Sequence, residues 1–339
     1  CRERIGKPRM SGSSNIQLAM SPSGNPFPPT YLVAAANNSP ESAKTLNLTS
    51  WVASTTFVSA RTPTSLTHSP TLDRWVMATT TGFGSDLARS NDQAATWLGQ
   101  SSGQGQSYDT IQWAFSAFFL GSNNGNIFKS ATGLTGSWSS SLFASGLFYR
   151  SYKLAVTLDG TILASCGDAT ASNTTPTIAL TTDGTNWSAG VTTGLPSGVV
   201  ADGLACIAHD VGRNKWWVMN FAGGLYTKTS LSAAGAWTFV DTLDAFATFY
   251  THSIAFQTGG GTKAIIATTG NGGLWVSTDG GITFTQELAG NALYSVIWSD
   301  YFDCFIAVGQ KIFTGMPGAW VEQTKPVGIN YSSVVEALV

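Results

Sequence analysis

The chain has 339 residues, including 37 Gly and 12 Trp, but only 17 Lys or Arg and 19 Asp or Glu. A charged fraction of 11%, against the ~25% of an ordinary globular protein, means that the polar surface is built from Ser, Thr, Asn, Gln and Gly, and it argues against a charge-rich helical cytosolic enzyme. The net charge is −2, and no Lys/Arg cluster follows the first nine residues, so the electrostatic footprint of a nucleic-acid or anionic-membrane partner is missing.

Residues Cys1 to Met10 are basic, with no apolar segment behind them to form a signal peptide. No later apolar run reaches the ~18 residues of a spanning helix, so membrane insertion is not expected. A chain that starts at Cys1 reads either as a fragment of a longer polypeptide or as a mature lipoprotein with a lipid on that cysteine; the fragment is the expected case. Residues 1–14 are an N-terminal extension or linker.

From Asn15 onward the sequence repeats. Ser65-Leu66-Thr67-His68 followed by Trp75-Val76-Met77-Ala78 aligns without gaps on Ser295-Val296-Ile297-Trp298 followed by Phe305-Ile306-Ala307-Val308. Equivalents of Leu66 fall at Leu18, Ile111, Leu154, Ile207, Ile254 and Val296, with a further one at Val334. The spacings run from 38 to 53 residues and average about 45, the period of a four-stranded propeller blade.

Each unit closes on an aromatic after a turn: Trp51, Trp97, Trp138, Trp187, Trp237, Phe284 and Trp320. Short β-branched or aromatic runs such as Trp216-Trp217-Val218-Met219 read as strands, and Asp183-Gly184 and Asn271-Gly272 read as turn dipeptides. The expected fold is all-β, a seven-bladed β-propeller of four-stranded antiparallel blades over residues 15–328. Residues 329–339 then form either a strand that closes the ring or a link to further sequence. Closure is expected because an open ring would leave two sheet edges unpaired. Ser332 to Leu338 is the one stretch with a helix-like apolar stripe.

Three closing turns carry the pattern Ser/Thr-x-Asp-x-Gly-x-Thr-Trp in whole or part. They are Ser90-Asn91-Asp92 through Trp97, which lacks the Gly, Thr181-Thr182-Asp183-Gly184 through Trp187, and Ser277-Thr278-Asp279-Gly280-Gly281 through Phe284. Units three, five and seven keep the Trp and lose the Asp. This pattern resembles the Asp box of BNR-type propellers. Together with the Val-x-Trp and Phe-Ile-Ala-Val-Gly strands, it is similar to repeats of phage tail and fibre proteins and of bacterial surface proteins. An Asp in such a turn accepts the N–H groups that follow it, so Asp92, Trp97, Asp183, Trp187, Asp279 and Phe284 are expected to be structural. Repeat-related turns lie around a ring and do not converge on one point.

Sialidases share this architecture, and the resemblance would require three arginines from separate blades, a Tyr/Glu pair and an acid/base Asp. The eight arginines include none in the last two blades, and the Arg-Ile-Pro signature is absent. Other glycosidases need two facing carboxylates. The five glutamates, Glu3, Glu41, Glu287, Glu322 and Glu336, are expected outside strand cores. Asp86, Asp109, Asp168, Asp202, Asp241 and Asp300 read as solvated loop residues.

His68 and His209 share a repeat position with Trp113, Phe256 and Trp298, and His252 falls nearby. An imidazole packed like an aromatic is expected there in preference to a metal ligand, since no HxH or HExxH spacing occurs. Cys166, Cys206 and Cys304 are too scattered for a metal site or disulfide framework and read as small buried hydrophobes.

No catalytic residue, metal or cofactor is expected. The loops Gly99 to Tyr108 and Ala169 to Thr175, rich in neutral donors and acceptors, suit sugars or plain solvation. The expected role is binding in a phage virion, as a tail-fibre or tail-tip module. Its expected partners are other virion proteins and a bacterial surface glycan or receptor. A secreted or lipid-anchored bacterial surface protein is the alternative, and a divergent glycoside hydrolase the second.

Overall fold

A computed structural model describes residues 30–37, 42–48, 50–54, 63–79, 86–139, 150–168, 176–196, 203–243, 252–258, 264–269, 272–326 and 329–338. Every regular element among them is a β-strand, and the strands form seven antiparallel sheets, the blades of a β-propeller. The sequence-predicted strand at Asn15 to Met20 and the turn residue Asn271 lie outside the described residues.

The inner strands are Pro63–Ser69, Tyr108–Ala114, Arg150–Val156, Leu204–Asp210, His252–Phe256 and Leu293–Ser299 for the second to seventh blades. The first blade takes its inner strand from the C-terminal segment, Asn330–Leu338, paired antiparallel with Thr30–Asn37. Val334 lies opposite Ala34, as Leu66 lies opposite Met77. The inner-strand positions are therefore Leu66, Ile111, Leu154, Ile207, Ile254, Val296 and Val334. The helix-like stripe from Ser332 is a strand, because alternate residues face the two neighbouring blades and both faces are buried.

Successive inner strands touch all the way around, and Asn330–Leu338 contacts both Leu293–Ser299 and Pro63–Ser69. The ring is thus closed by joining Thr30–Asn37 and Asn330–Leu338 in one sheet, which removes the open edges. Ser50 and Thr324 add a parallel bridge at the same seam. Six sheets have four described strands. In the third blade, beyond Ile127–Ser130, the Ser139 N–H donates to Lys129 O at 2.8 Å and starts the fourth position.

Second strands such as Ala117–Ser122 and Cys304–Gly309 are buried along their whole length, whereas outer strands such as Leu98–Gln100 and Thr238–Thr242 are largely exposed. This explains the unbroken apolar runs: a strand between two blades has no solvent face to make polar. Six of the seven inner-to-second pairings carry a bulge near the start of the inner strand. The bulged hydroxyls tie blades together. Thr64 Oγ1 donates to Tyr108 O at 2.7 Å, and Ser332 Oγ donates to Pro63 O at 2.8 Å, each reaching the next inner strand.

Candidate functional site

The acidic turns behave as local structure. Asp183 Oδ1 accepts the N–H groups of Thr185 and Asn186, both at 2.7 Å, and Oδ2 accepts the Asn186 amide at 2.7 Å. Asp279 Oδ1 accepts Ile282 N–H and Thr283 N–H at 3.0 Å, while Oδ2 accepts the Thr283 hydroxyl at 2.6 Å. Asp92 Oδ1 accepts Ser90 Oγ at 2.6 Å and Thr96 N–H at 2.9 Å. Hydrogen bonds from Asn186 and Thr283 hold the Asp183 and Asp279 carboxyls far below the usual range. At Asp92 partial burial works the other way, and bonds from Ser90 and Thr96 outweigh it.

The second-blade turn lacks its glycine because Gln93 and Ala94 themselves adopt positive φ, 58° and 59°. A fourth such turn escaped the sequence pattern. In Thr45-Leu46-Asn47-Leu48-Thr49-Ser50-Trp51, Asn47 stands where Asp183 does, its Oδ1 accepting Ser50 N–H at 3.3 Å, and Leu48 takes the glycine conformation at φ 64°. A pattern admitting Asn for Asp and any residue for Gly would have found it.

The histidines belong to a repeated aromatic pair between an inner strand and the start of the second strand. Ring centroids lie 4.7 Å apart in His68–Trp75, 4.7 Å in Trp113–Phe118, 4.8 Å in His209–Trp216 and 4.8 Å in Trp298–Phe305. Burial lowers the pKa of both imidazoles, against the opposing pull of Asp73 on His68 and of Asn214 and Asp210 on His209. The backbone of His252 pairs with Thr269, but its side chain is outside the described residues. Cys166, Cys206 and Cys304 are buried and unpaired.

Several carboxylates depart from expectation. Asp86, Asp109 and Asp168 are buried rather than solvated. Asp86 accepts Ser102 N–H at 2.6 Å and the Ser102 hydroxyl, and Ser102 Oγ meets Tyr108 Oη at 2.6 Å. Sequence reading placed these residues in loops because a strand interior is a costly place for an unpaired charge. For Asp86 the partner comes from the neighbouring loop, which is itself tied to the next blade through Tyr108. Asp241 and Asp300 are partly buried, and Asp202 is outside the described residues. Glu336 also departs: it is buried on an inner strand at the position that His68 and Trp298 hold in theirs. Glu287 and Glu322 lie on outer strands, and Glu3 and Glu41 are outside the described residues.

Between the fourth and fifth blades a cleft of about 380 Å³ opens on the side of the acidic turns. At two other blade boundaries a basic side chain on the third strand crosses to the next turn: Lys44 Nζ donates to Gln93 O at 3.2 Å, and Lys129 Nζ to Gly184 O at 2.9 Å. Leu180 occupies that register position in the fourth blade, opposite Ala164 as Lys129 is opposite Phe119. The fifth-blade turn from Ser230 to Trp237 also lacks its Asp. Neither a basic side chain nor an Asp-held turn spans this boundary.

Ile162, Leu180, Trp216 and Leu231 supply apolar lining, and Thr161, Ser230 and Ser232 supply hydroxyls. Asp159 is the only ionisable acid of the lining. Hydrogen bonds from Thr157 and then Thr161 keep its carboxyl below the ordinary value. His209 lines the cleft too, and its Nδ1 is buried without a hydrogen-bond partner among the described residues. Nearby Asp210 is held by Arg213 at 2.6 Å. The arrangement can orient a small polar molecule, but it does not offer the pair of carboxyls that glycoside hydrolysis uses. No sequence motif marked this cleft.

No protein-family model and no curated protein matches the chain. Solved structures do. YCF48 from Cyanidioschyzon merolae is 15% identical, with a TM-score of 0.56 over 82% of this chain and 95% of that one. A candidate 6-phosphogluconolactonase from Bacteroides fragilis is 15% identical, with a TM-score of 0.61 over 94% and 100%. YCF48 bound to D1 peptide is 12% identical, with a TM-score of 0.56 over 99% of each chain. The class is therefore a seven-bladed β-propeller. At these identities the likeness is one of fold alone, and the fold hosts enzymes and binding proteins alike.

Proposed function

We propose that this chain is a non-catalytic binding propeller carried on a phage particle, as a tail-fibre or tail-tip module that attaches to glycan or a receptor on the bacterial surface. The observation that supports binding over turnover is the state of the carboxylates. Asp92, Asp183 and Asp279 sit in three different blades, and each has both oxygens engaged within its own turn. Asp86 and Asp210 are likewise held by neighbours. The low charge and the repeats that resemble phage tail proteins support the virion setting.

Two measurements test this. A reconstruction of the assembled particle should place the chain at the tail exterior, and its absence from the particle would leave the bacterial surface as the setting. Incubation with a panel of bacterial glycans should give retention without cleavage; turnover of any glycan would overturn the non-catalytic reading. A protein partner is the second reading, supported by the peptide that the YCF48 propeller binds, and retention of virion or host proteins in place of glycan would favour it.

A further inference from the structure

We propose that the cleft between the fourth and fifth blades is a subsite for one neutral hexopyranose unit, an inference that rests on the glycan-binding reading above. Three observations carry it. First, the cavity of about 380 Å³ falls in the size range of small-molecule sites. Leu180 stands on its wall, at the register position that a cross-blade lysine holds in the first and third blades.

Second, the lining suits the two faces of a pyranose. A sugar ring presents C–H patches beside hydroxyls that both donate and accept. The cleft offers aliphatic surface from Ile162, Leu180 and Leu231 beside the hydroxyls of Thr161, Ser230 and Ser232 and the ionised acceptor Asp159. An apolar side chain from a protein partner would cover those hydroxyls without satisfying them, and burying unsatisfied polar groups costs binding energy. Third, the polar groups of one wall stand in the open: Asp159 and Thr161 are exposed on the turn between the first and second strands of the fourth blade, where a sugar hydroxyl can reach them.

The sign of the ligand charge also follows. The lining contains no Lys or Arg, and Asp159 is ionised. A sugar that carries a carboxylate would face that charge unpaired, so acidic sugars such as sialic acid are excluded while neutral hexoses are admitted.

The experiment is ligand-observed NMR titration of the full chain with the methyl glycosides of glucose, galactose, mannose and N-acetylglucosamine, and with sialic acid as the acidic control. Two variants are compared with the parent. Ser232→Trp plugs the mouth from an exposed position. Asp159→Ala removes the ionised acceptor from an exposed turn of the lining. Thermal melts establish that both are folded. At least one neutral glycoside is expected to bind the parent and to lose tenfold or more in affinity in each variant, with no signal from sialic acid. Glycoside binding that both folded variants retain would overturn the subsite and leave the glycan reading standing. Silence of the parent toward every sugar, both here and on the glycan panel, would overturn both.

Discussion

Ser299 Oγ donates to Glu336 Oε1 at 2.6 Å across the seam that closes the ring. The two residues are 37 positions apart and belong to the last and first blades. Glu336 is buried in a position that packs an aromatic in several sister blades, and burial, with Asp300 nearby, pushes its carboxyl up to about 8, against the lowering effect of Ser299. At neutral pH it holds its proton.

A pH dependence follows from that proton. An unfolded glutamate ionises near 4.5, so between that pH and about 8 the unfolded chain releases a proton that the folded chain keeps. Stability is full below the lower value, falls as pH rises through the window by up to about 1.4 kcal/mol per pKa unit, and is level above it. Glu336→Gln keeps the shape and a donor or acceptor for Ser299. It is expected to raise the melting temperature at pH 8 while leaving it little changed at pH 4.5. Parallel melting profiles for the two proteins across that range would refute this account.

The C-terminal strand is expected to be indispensable. Without Asn330–Leu338, the Thr30–Asn37 strand loses its inner partner and the Leu293–Ser299 and Pro63–Ser69 strands lose the element between them. Deleting residues 330–339 should abolish the cooperative melt, and a synthetic peptide of that segment should restore it. A deletion variant that melts like the parent would contradict closure by this strand.

Glycine at position 281 answers to its neighbour rather than to its turn alone. A Cβ there would lie 2.5 Å from Trp217 Cη2, on the preceding blade, at φ +91°. Gly290 has a similar φ, +79°, with nothing in the way. Gly281→Ala is expected to cost roughly 2–4 kcal/mol, strain and overpacking together, and Gly290→Ala about 1–2 from strain only. Chemical denaturation of the two variants measures the difference, and equal losses would show that the Trp217 contact yields freely.

His68 predicts the opposite pH behaviour to Glu336. Burial lowers its pKa, and the Asp73 bond at 3.3 Å opposes this only in part. As pH falls below 6.5, the unfolded chain takes up a proton before the folded one does, so stability present above that pH is lost on acidification. His68→Phe keeps the ring pair with Trp75 and should flatten the melting profile between pH 6.5 and 5. At pH 7 its stability should stay within about 1.5 kcal/mol of the parent. An unchanged acid slope would mean that His68 does not titrate in this window.

The repeat made the blade count and most inner strands legible in the sequence. Leu66, Ile111, Leu154, Ile207, Ile254 and Val296 recur because every blade must fill the same slot between two neighbours, and the same constraint repeats the closing aromatics. The Asp183 and Asp279 turns were legible for a local reason, since donor and acceptor lie within four residues of each other. What stayed hidden depends on groups far apart in the chain. The sequence left residues 329–339 between a closing strand and a link to further sequence, and Asn330–Leu338 becomes the first inner strand because Thr30–Asn37 waits unpaired some 300 residues earlier, a distance no local pattern spans. Buried Asp86 and Glu336 were misplaced because their tolerance for burial comes from Ser102, Tyr108 and Ser299, which the fold delivers. The cleft beside His209 is the clearest case. Its lining comes from Leu180 and the Thr157 to Ile162 turn of one blade and from His209, Trp216 and the Ser230 turn of the next, and only the tertiary structure brings the two sides of that boundary together.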